Sequence, residues 1–207
     1  MKILYLSNSD IKGGAARGAF RLHQGFLQNG VDSQLLVSKQ YSDDYTVVGP
    51  HSKIKKAFNF VRPQAAGLLL KAQKSSNPIC RSVNILPSNL HKFINASYAD
   101  VVMLHWVGGE MLSIAEIGKI NKPIVWRLAD QWAFCGAEHY TLPEHDARYI
   151  GGYSKQNRAE GDTGLDIDKW VWKRKVKHWL NKDMTIVTGS NWLADCARSS
   201  YLHKNKN

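Results

Sequence analysis

The sequence predicts an α/β protein with a Rossmann-like parallel sheet and helices on both faces. Short apolar segments of strand length alternate with segments of helical periodicity along the chain. Glycine, charged and aromatic residues follow several of the predicted strands, where ligands bind in open α/β sheets. The 207 residues are enough for one well-buried domain, and we expect residues 1–207 to form it.

The first half of the chain contains two predicted strands and two predicted helices. Residues 2–7 and 33–37 are short apolar runs, as expected of buried strands. Residues 15–29 place apolar side chains near helical spacing, and Gly30 follows as a stop signal. Residues 53–74 predict a second helix, which we expect Pro63 to break or kink.

The second half continues the alternation around two loops. Residues 77–97 contain prolines and scattered polar residues, so we expect mostly loop. Residues 136–165 combine glycines and charges without periodicity, which is typical of a long functional loop. The other predicted elements are strands at 100–105, 123–128 and 184–188, and helices at 110–120, 169–180 and 191–201.

The composition is that of an ordinary globular protein, with 43% hydrophobic and 22% charged residues. No apolar run approaches the roughly 20 residues that span a bilayer, and the first segment turns polar too early for a signal peptide. Three widely spaced cysteines indicate a reducing compartment rather than a disulfide framework. We therefore expect a cytoplasmic location.

Positive charge is concentrated in two segments of a chain whose formal net charge is +11. No acidic residue lies between Asp44 and Asp100, whereas eight lysines and arginines do. Residues 169–182 form a second basic segment. This asymmetry favours an anionic partner (phosphate, membrane surface or nucleic acid), although solvated basic helix faces would give the same pattern.

The predicted helix at 169–180 allows two interpretations. On an ideal helix its apolar residues fall within an arc of about 100°; they are Trp172, Val176, Trp179 and Leu180. A basic amphipathic helix of this kind could lie on a membrane surface. A crossover helix that packs its tryptophans on the sheet is the favoured interpretation, because a strand follows directly.

A glycine pair lies between the first strand and the first helix. Gly13 and Gly14 would let the backbone approach a ligand closely, and the helix N-terminus offers free N–H groups to an anion. Arg17 follows in the first helical turn, where a cation opposes the helix dipole, so a phosphate or carboxylate ligand explains it better. The segment is not GxGxxG, and a plain βα turn stays equally open.

Residues 123–140 (PIVWRLADQWAFCGAEHY) carry charged and aromatic residues directly after a predicted buried strand. These residues are Arg127, Asp130, Trp132, Phe134, Glu138, His139 and Tyr140. His105 and Trp106 follow the neighbouring predicted strand, where they could stack on and hydrogen-bond a sugar or base. A structural role for His105 at the strand end is as consistent with the sequence.

Other kinds of site have little support. A metal site would draw on Cys135, Glu138, His139, His145 and Asp146, but no CxxC, HExxH or HxH pair supports it, so we expect no metal. A Ser-His-Asp hydrolase lacks its GxSxG motif, and P-loop and kinase signatures are absent. The basic segments contain no known nucleic-acid-binding pattern, so we expect no nucleic acid partner.

Several blocks of the chain together resemble one family. Five blocks resemble the amino-terminal half of bacterial glycosyltransferases of the family-four type, which occur in surface polysaccharide clusters. The blocks are KILYLSNSDIKGGAARGAFRLHQGF, VVMLHWVGG, PIVWRLADQWAFCGAEHY, WKRKVKHW and IVTGSNWLADCARSS. The blocks occur in the family's order and cover nearly the whole chain. Each block is moderately specific by itself, and the ordered set is more specific.

The resemblance implies the amino-terminal, acceptor-side domain of a GT-B fold. In that family a second Rossmann-like domain holds the nucleotide sugar, which is a substrate, and no further cofactor is implied. The family's pattern continues into this second domain beyond a block like GSNWLADCARSS. We therefore expect residues 1–207 to lack the carboxyl-terminal nucleotide-sugar domain and to be inactive alone.

The resemblance also implies which residues act. Many relatives have a histidine where this chain has Ala129, so the candidate catalytic residues are Asp130, His139 and His105. The candidates for binding the donor diphosphate or the acceptor are Gly13, Gly14, Arg17, Trp106, Arg127, Trp132, Glu138 and Tyr140.

The implied partners are a nucleotide sugar, a glycan or lipid-linked sugar acceptor, and an anionic membrane surface, which would place the protein at the inner face of the membrane. The alternative is a non-catalytic domain that binds anionic glycolipid or a membrane surface.

Overall fold

The computed structural model describes residues 1–142, 147–204 and 206. It is an α/β fold with a six-stranded parallel sheet flanked by helices, which confirms the predicted Rossmann-like class. The strands are β1 (Lys2–Ser9), β2 (Asp32–Lys39), β3 (Val47–Val48), β4 (Gln73–Lys74), β5 (Val101–Leu104), β6 (Ile124–Leu128), β7 (Thr163–Gly164) and β8 (Thr185–Thr188). The helices are α1 (Gly14–Gln28), α2 (Lys53–Leu70), α3 (Leu90–Ala96), α4 (Ile114–Gly118), α5 (Arg148–Gly151), α6 (Ile167–Trp179) and α7 (Asn191–Ser199).

The strand order of the main sheet is β3-β2-β1-β5-β6-β8, and β4 pairs with β7 in a separate antiparallel ribbon. The chain builds outward from β1 through β2 to β3, and then returns to place β5 on the other side of β1. In the centre of the sheet, Tyr5 of β1 pairs with Leu35 of β2 and Met103 of β5. The order reverses between β1 and β5, which is where open α/β sheets bind ligands.

Alternation along β1 supplies both faces of the sheet. Ile3 and Tyr5 belong to a smaller core cluster that includes Ala19 of α1. Leu4 and Leu6 belong to the larger cluster on the opposite face, which contains the buried residues of α4 and α6. All four strand residues are buried, as expected of a parallel sheet covered on both faces.

Three tryptophans pack together within the larger core cluster. Trp126 and Trp132 each meet Trp179 edge to face, with ring centroids 5.3 and 5.8 Å apart. The Trp179 indole N–H donates to the carbonyl of Ile114 at 2.8 Å, which ties α6 to α4. α6 is therefore a crossover helix with tryptophan packed against the core, as the favoured sequence interpretation holds.

The basic segment around α6 is less solvated than its sequence suggests. Lys175 is fully buried on the same face as Val171 and Trp179. Leu180, which the helical arc grouped with the tryptophans, is 38% exposed and follows the end of the helix. Buried residues of α6 recur every four positions, at Ile167, Val171, Lys175 and Trp179. The buried face is therefore rotated away from the predicted arc of Trp172, Val176, Trp179 and Leu180.

Two predicted segments differ in detail from the structure. α2 runs across Pro63 without a break, and before the proline Asn59 donates to the Ser38 carbonyl at 3.2 Å and Arg62 to the Leu86 carbonyl at 2.5 Å. The segment 77–97 is mostly loop, as predicted, but Leu90–Ala96 within it forms α3. Tertiary contacts hold the start of α3, since Glu116 accepts a hydrogen bond from the Ser88 amide at 3.0 Å.

Among the described residues, no helix has the length and apolar character needed to cross a membrane.

Candidate functional site

Four neighbouring strands end at one edge of the sheet and carry the candidate site. β1, β5, β6 and β8 are parallel, so the residues that follow them lie at the same edge. The N-termini of α1 and α7 also begin there, after β1 and β8. The edge divides into an open cleft beside Arg127 and a closed cluster around Asp130.

The start of α1 exposes backbone donors. Gly13 is the N-cap residue with φ +105°, a conformation that favours glycine, and no side chain caps the helix. Gly14 lines the open cleft together with Ala15. Arg17 is exposed on the first turn and is not among the residues that line the cleft. The glycine pair thus lies between β1 and α1 as predicted, and Gly14 of the pair borders the cleft.

Arg127 lies in the open cleft, whose volume is about 310 Å³. The remaining lining residues are Leu128, Ala129, Gly189, Ser190 and Leu193. A Cβ atom at Gly189 would lie only 3.1 Å from Arg127 Nη2, so the glycine after β8 leaves room for the guanidinium. Among the described residues no carboxylate forms an ion pair with Arg127. The cleft therefore contains a cation without a counter-ion, between two helix N-termini.

His105 is within hydrogen-bonding distance of Arg127. Its Nε2 atom lies 3.3 Å from Arg127 Nη1 and its Nδ1 atom 3.5 Å from the Tyr5 hydroxyl. Because a guanidinium can only donate, Nε2 accepts and the imidazole is neutral. Burial, together with the Arg127 charge, lowers the pKa of His105 to about 4, and the residue is only 2% exposed. This geometry suits positioning of Arg127, and the catalytic role of His105 stays a prediction.

Asp130 and His139 form the centre of the closed cluster. The Asp130 carboxylate accepts hydrogen bonds from His139 Nδ1 at 2.6 Å, from the Trp106 indole at 2.8 Å and from the Trp132 amide at 3.0 Å. On the other side of the imidazole, His139 Nε2 lies 2.8 Å from Ser82 Oγ. The two residues predicted as catalytic are thus in contact with each other, and Ser82 completes a Ser-His-Asp chain.

The hydrogen-bonded series of Ser82, His139 and Asp130 is enclosed rather than open to a ligand. Trp106 and Trp132 stack on the His139 ring with centroids 5.3 and 6.2 Å away, and Ser82 Oγ also accepts from the Gly109 amide at 3.2 Å. The space beside Asp130 and His139 is about 10 Å³, which is no more than the minimum that one water molecule needs. The cluster therefore fixes the shape of the edge, and no substrate fits beside it in this conformation.

Glu138 and Tyr140 lie on opposite sides of the strand-end segment. Glu138 is buried and accepts a hydrogen bond from the Tyr153 hydroxyl, and burial beside Asp168 raises its pKa to about 8. Tyr140 is 40% exposed, and its hydroxyl donates to the Ala129 carbonyl at 3.3 Å. The Tyr140 ring is therefore accessible from solvent, whereas the Glu138 carboxyl is buried.

Lys175 holds the turn that carries these residues. Its ammonium donates to the carbonyls of Trp132, Cys135 and Gly136, the last two at 3.1 and 2.6 Å, and lies 3.9 Å from the Trp132 ring centroid. Burial lowers the pKa of Lys175 to about 7. One buried cation from α6 thus satisfies three carbonyls after β6.

The structure brings some predicted residues to the cleft and separates others. Gly14 and Arg127 line it; Tyr140 reaches its border through Ala129. Asp130, His139, Trp106 and Trp132 form the closed cluster beside it. Gly189 directly follows β8, and a glycine at the end of a strand is a signal that the sequence does contain. Ser82 and Lys175 carry no such signal, because only the tertiary fold brings them to this edge.

The metal hypothesis drew on His145 and Asp146, which lie outside the described residues. Among the residues that the structure describes, no group of three histidine, cysteine or carboxylate side chains is arranged to hold a metal ion.

Comparisons of this chain with protein-family models, with curated proteins and with solved structures found no match.

Proposed function

We propose that this chain is the acceptor-side domain of a glycosyltransferase that moves a sugar from a nucleotide donor to a lipid-linked or polysaccharide acceptor. The observation that carries the proposal is the Arg127 guanidinium, which has no carboxylate partner among the described residues and lies in a cleft at the carboxyl edge of the sheet, between the starts of α1 and α7. The resemblance of the sequence blocks to family-four glycosyltransferases supplies the reaction class.

The cleft suits the diphosphate of a nucleotide sugar. A guanidinium binds phosphate oxygens through parallel hydrogen bonds, and uncapped amides at the start of α1 favour negative charge. Glycosyl transfer leaves a diphosphate, so a cation and amide donors held at that point would stabilise the transition state. In this proposal a second Rossmann-like domain holds the nucleotide, and Arg127 with Gly14 contacts the diphosphate from the acceptor side.

The acceptor would lie toward Tyr140. Its ring is 40% exposed and its hydroxyl is fixed on the Ala129 carbonyl, so the aromatic face is held at the border of the cleft. Aromatic faces pack against the apolar side of sugar rings, while neighbouring polar groups orient the hydroxyls. We therefore assign Tyr140 to acceptor binding.

The test is titration calorimetry of the chain with pyrophosphate and with uridine, guanosine and adenosine diphosphates. Arg127→Met keeps the length of the side chain and removes the charge, and we expect it to weaken diphosphate binding by about tenfold or more. Arg198→Met is the matched control, because Arg198 is exposed and forms its ion pair with Asp195 on α7, away from the residues that line the cleft. We expect the control to bind like the unchanged chain. Equal affinities for the two variants would refute the assignment of Arg127.

A second candidate is a non-catalytic domain that binds anionic glycolipid. It is favoured by the closed Asp130 cluster, which leaves about 10 Å³ beside its predicted catalytic groups. Co-sedimentation with glycolipid vesicles would distinguish the two functions. Binding that persists in Arg17→Gln and Asp130→Asn but disappears in salt would favour the second candidate.

A further inference from the structure

α2 carries an apolar stripe that is more than half exposed to solvent in the described chain. Ile54, Phe58, Val61 and Leu68 are 82, 51, 57 and 65% exposed, and Ala65 is exposed between them. Their spacing alternates between four and three residues, which aligns side chains on one face of a helix. Contiguous exposed apolar surface of this kind is uncommon in monomeric proteins and marks an interaction site.

The buried face of the helix, about 100° around the axis from the middle of the stripe, explains why the stripe faces outward. Arg62 and Ala66 are buried, and Arg62 donates to the Leu86 carbonyl at 2.5 Å. Asn59 donates to the Ser38 carbonyl at the carboxyl end of β2. These contacts fix the rotation of α2 on the domain, so its apolar stripe remains turned away from the core.

Charge identifies the partner. At about 100° per residue, Lys53 and Lys71 border the stripe on one side and Lys55 borders it on the other, and all three are exposed. No acidic residue occurs between Asp44 and Asp100, so the surface contains no carboxylate from its own segment. Lysines beside an apolar face place their stems on it and direct their ammonium groups toward anionic headgroups.

We propose that α2 docks this domain on an anionic membrane surface, with its apolar stripe in the interface and its lysines at the headgroups. A second copy of the chain is a poorer partner, because it would bring the same unneutralised lysines against this surface. The proposal deepens the proposed function, on which its biological purpose rests, by naming the element that places the domain beside a lipid-linked acceptor. The contact between Asn59 and Ser38 puts the first half of α2 at the same edge of the sheet as the cleft.

Vesicle co-sedimentation of the chain tests the apolar stripe. The vesicles are an equimolar mixture of phosphatidylglycerol and phosphatidylcholine, with phosphatidylcholine alone as the neutral comparison. We expect the triple variant Ile54→Ser, Phe58→Ser, Leu68→Ser to bind the anionic vesicles at least about tenfold more weakly. The control replaces three exposed apolar residues outside α2, Tyr45→Ser, Tyr98→Ser and Leu165→Ser, and we expect a change within about twofold.

A second pair of variants tests the charges. Lys53→Gln, Lys55→Gln, Lys71→Gln should weaken binding by about a hundredfold at low salt, because each lysine contributes about fivefold near an anionic surface. Three exposed lysines elsewhere, replaced as Lys92→Gln, Lys155→Gln, Lys173→Gln, keep the change in net charge and serve as the control. We expect the control to lose far less affinity.

Four outcomes would overturn the proposal. The serine variant of α2 could bind as well as the unchanged chain, or the two lysine variants could lose affinity equally, which would assign binding to net charge. Neutral vesicles could bind the chain as tightly as anionic ones. Sedimentation equilibrium could show a dimer that the serine variant dissociates, which would assign the stripe to a second copy. All of these assays omit nucleotide, so they are independent of diphosphate binding at Arg127. Thermal unfolding by circular dichroism verifies that the variants fold.

Discussion

Replacement of Lys175 by methionine tests whether the strand-end cluster depends on one buried cation. Methionine keeps most of the apolar stem and removes the ammonium that donates to the carbonyls of Trp132, Cys135 and Gly136. The three carbonyls would be left in a site where Lys175 is fully buried. Such groups lose the hydrogen bonds without regaining water, so the turn after β6 loses its main support.

The size of the effect follows from these contacts. Three hydrogen bonds to a charged donor are worth about 1.5–3 kcal/mol each, and desolvation of the ammonium offsets part of that sum. Each carbonyl that loses its donor in a buried site costs about 1–3 kcal/mol, while removal of the ammonium relieves the cost of burying it, which lowers its pKa from 10.5 to about 7, so we expect a net loss of roughly 2–4 kcal/mol for Lys175→Met. That is a large share of the roughly 5–15 kcal/mol that holds an ordinary domain folded.

Urea denaturation monitored by tryptophan fluorescence measures the loss, since Trp132 stacks beneath the ammonium. The experiment is done about one pH unit below the Lys175 pKa of about 7, where the side chain carries its charge. Lys173→Met, on the exposed side of the same helix, is the control and should change the free energy of unfolding by less than about 0.5 kcal/mol. If the free energy of unfolding of Lys175→Met lies within about 1 kcal/mol of that of the control, the ammonium does not support the turn.

Three further substitutions probe the same edge of the sheet. His105 is neutral because burial and the Arg127 charge lower its pKa from 6.5 to about 4. The unfolded chain therefore binds the proton more readily than the folded one. As the pH decreases from 6.5 to 4, the free energy of unfolding should fall by up to about 3 kcal/mol. His105→Gln should remove this part of the acid destabilisation in urea titrations across that pH range, and an unchanged pH profile would contradict the assignment. Gly136→Ala should destabilise the fold by at least about 3 kcal/mol in the same assay, because the new Cβ would lie 2.5 Å from the Asp168 carbonyl, and a neutral result would show that the turn can relax. Ser82→Ala should cost about 1–2 kcal/mol by leaving His139 Nε2 unpaired, and thermal unfolding no different from that of the unchanged chain would show that a water replaces the hydroxyl.

Sequence periodicity was sufficient for most of the fold. The apolar strands and the amphipathic α1 and α7 lie close to where the sequence predicts them, because local hydrophobic spacing matches burial in each case. α3 was missed because its start depends on Ser88 and the distant Glu116. The predicted break at Pro63 does not occur, and local propensity omits the tertiary contacts that Asn59 and Arg62 make in the turn before the proline.

The candidate site was predictable where a residue stands directly after a strand. Asp130 follows β6, Arg127 is the penultimate residue of β6 and Gly14 begins the helix after β1, and all three lie at the carboxyl edge. Ser82 and Lys175 reach the edge from a loop and from a crossover helix, so neither residue carries a sequence signal for this position. The sequence also gave no means to separate the open cleft from the closed cluster, since that distinction rests on side-chain packing.

The separation of these two regions constrains how a transferase built on this domain would work. Arg127 faces the open cleft and needs an anion, whereas the Asp130 carboxylate already accepts hydrogen bonds from Trp106, Trp132 and His139. A carboxylate so fully used is a poor acceptor for a substrate proton, and releasing it would disturb the stacked aromatic rings. In the proposed transferase, diphosphate stabilisation at Arg127 would therefore be the main contribution of this domain to catalysis. In that case Asp130→Asn should impair stability more than diphosphate affinity, while Arg127→Met should do the reverse.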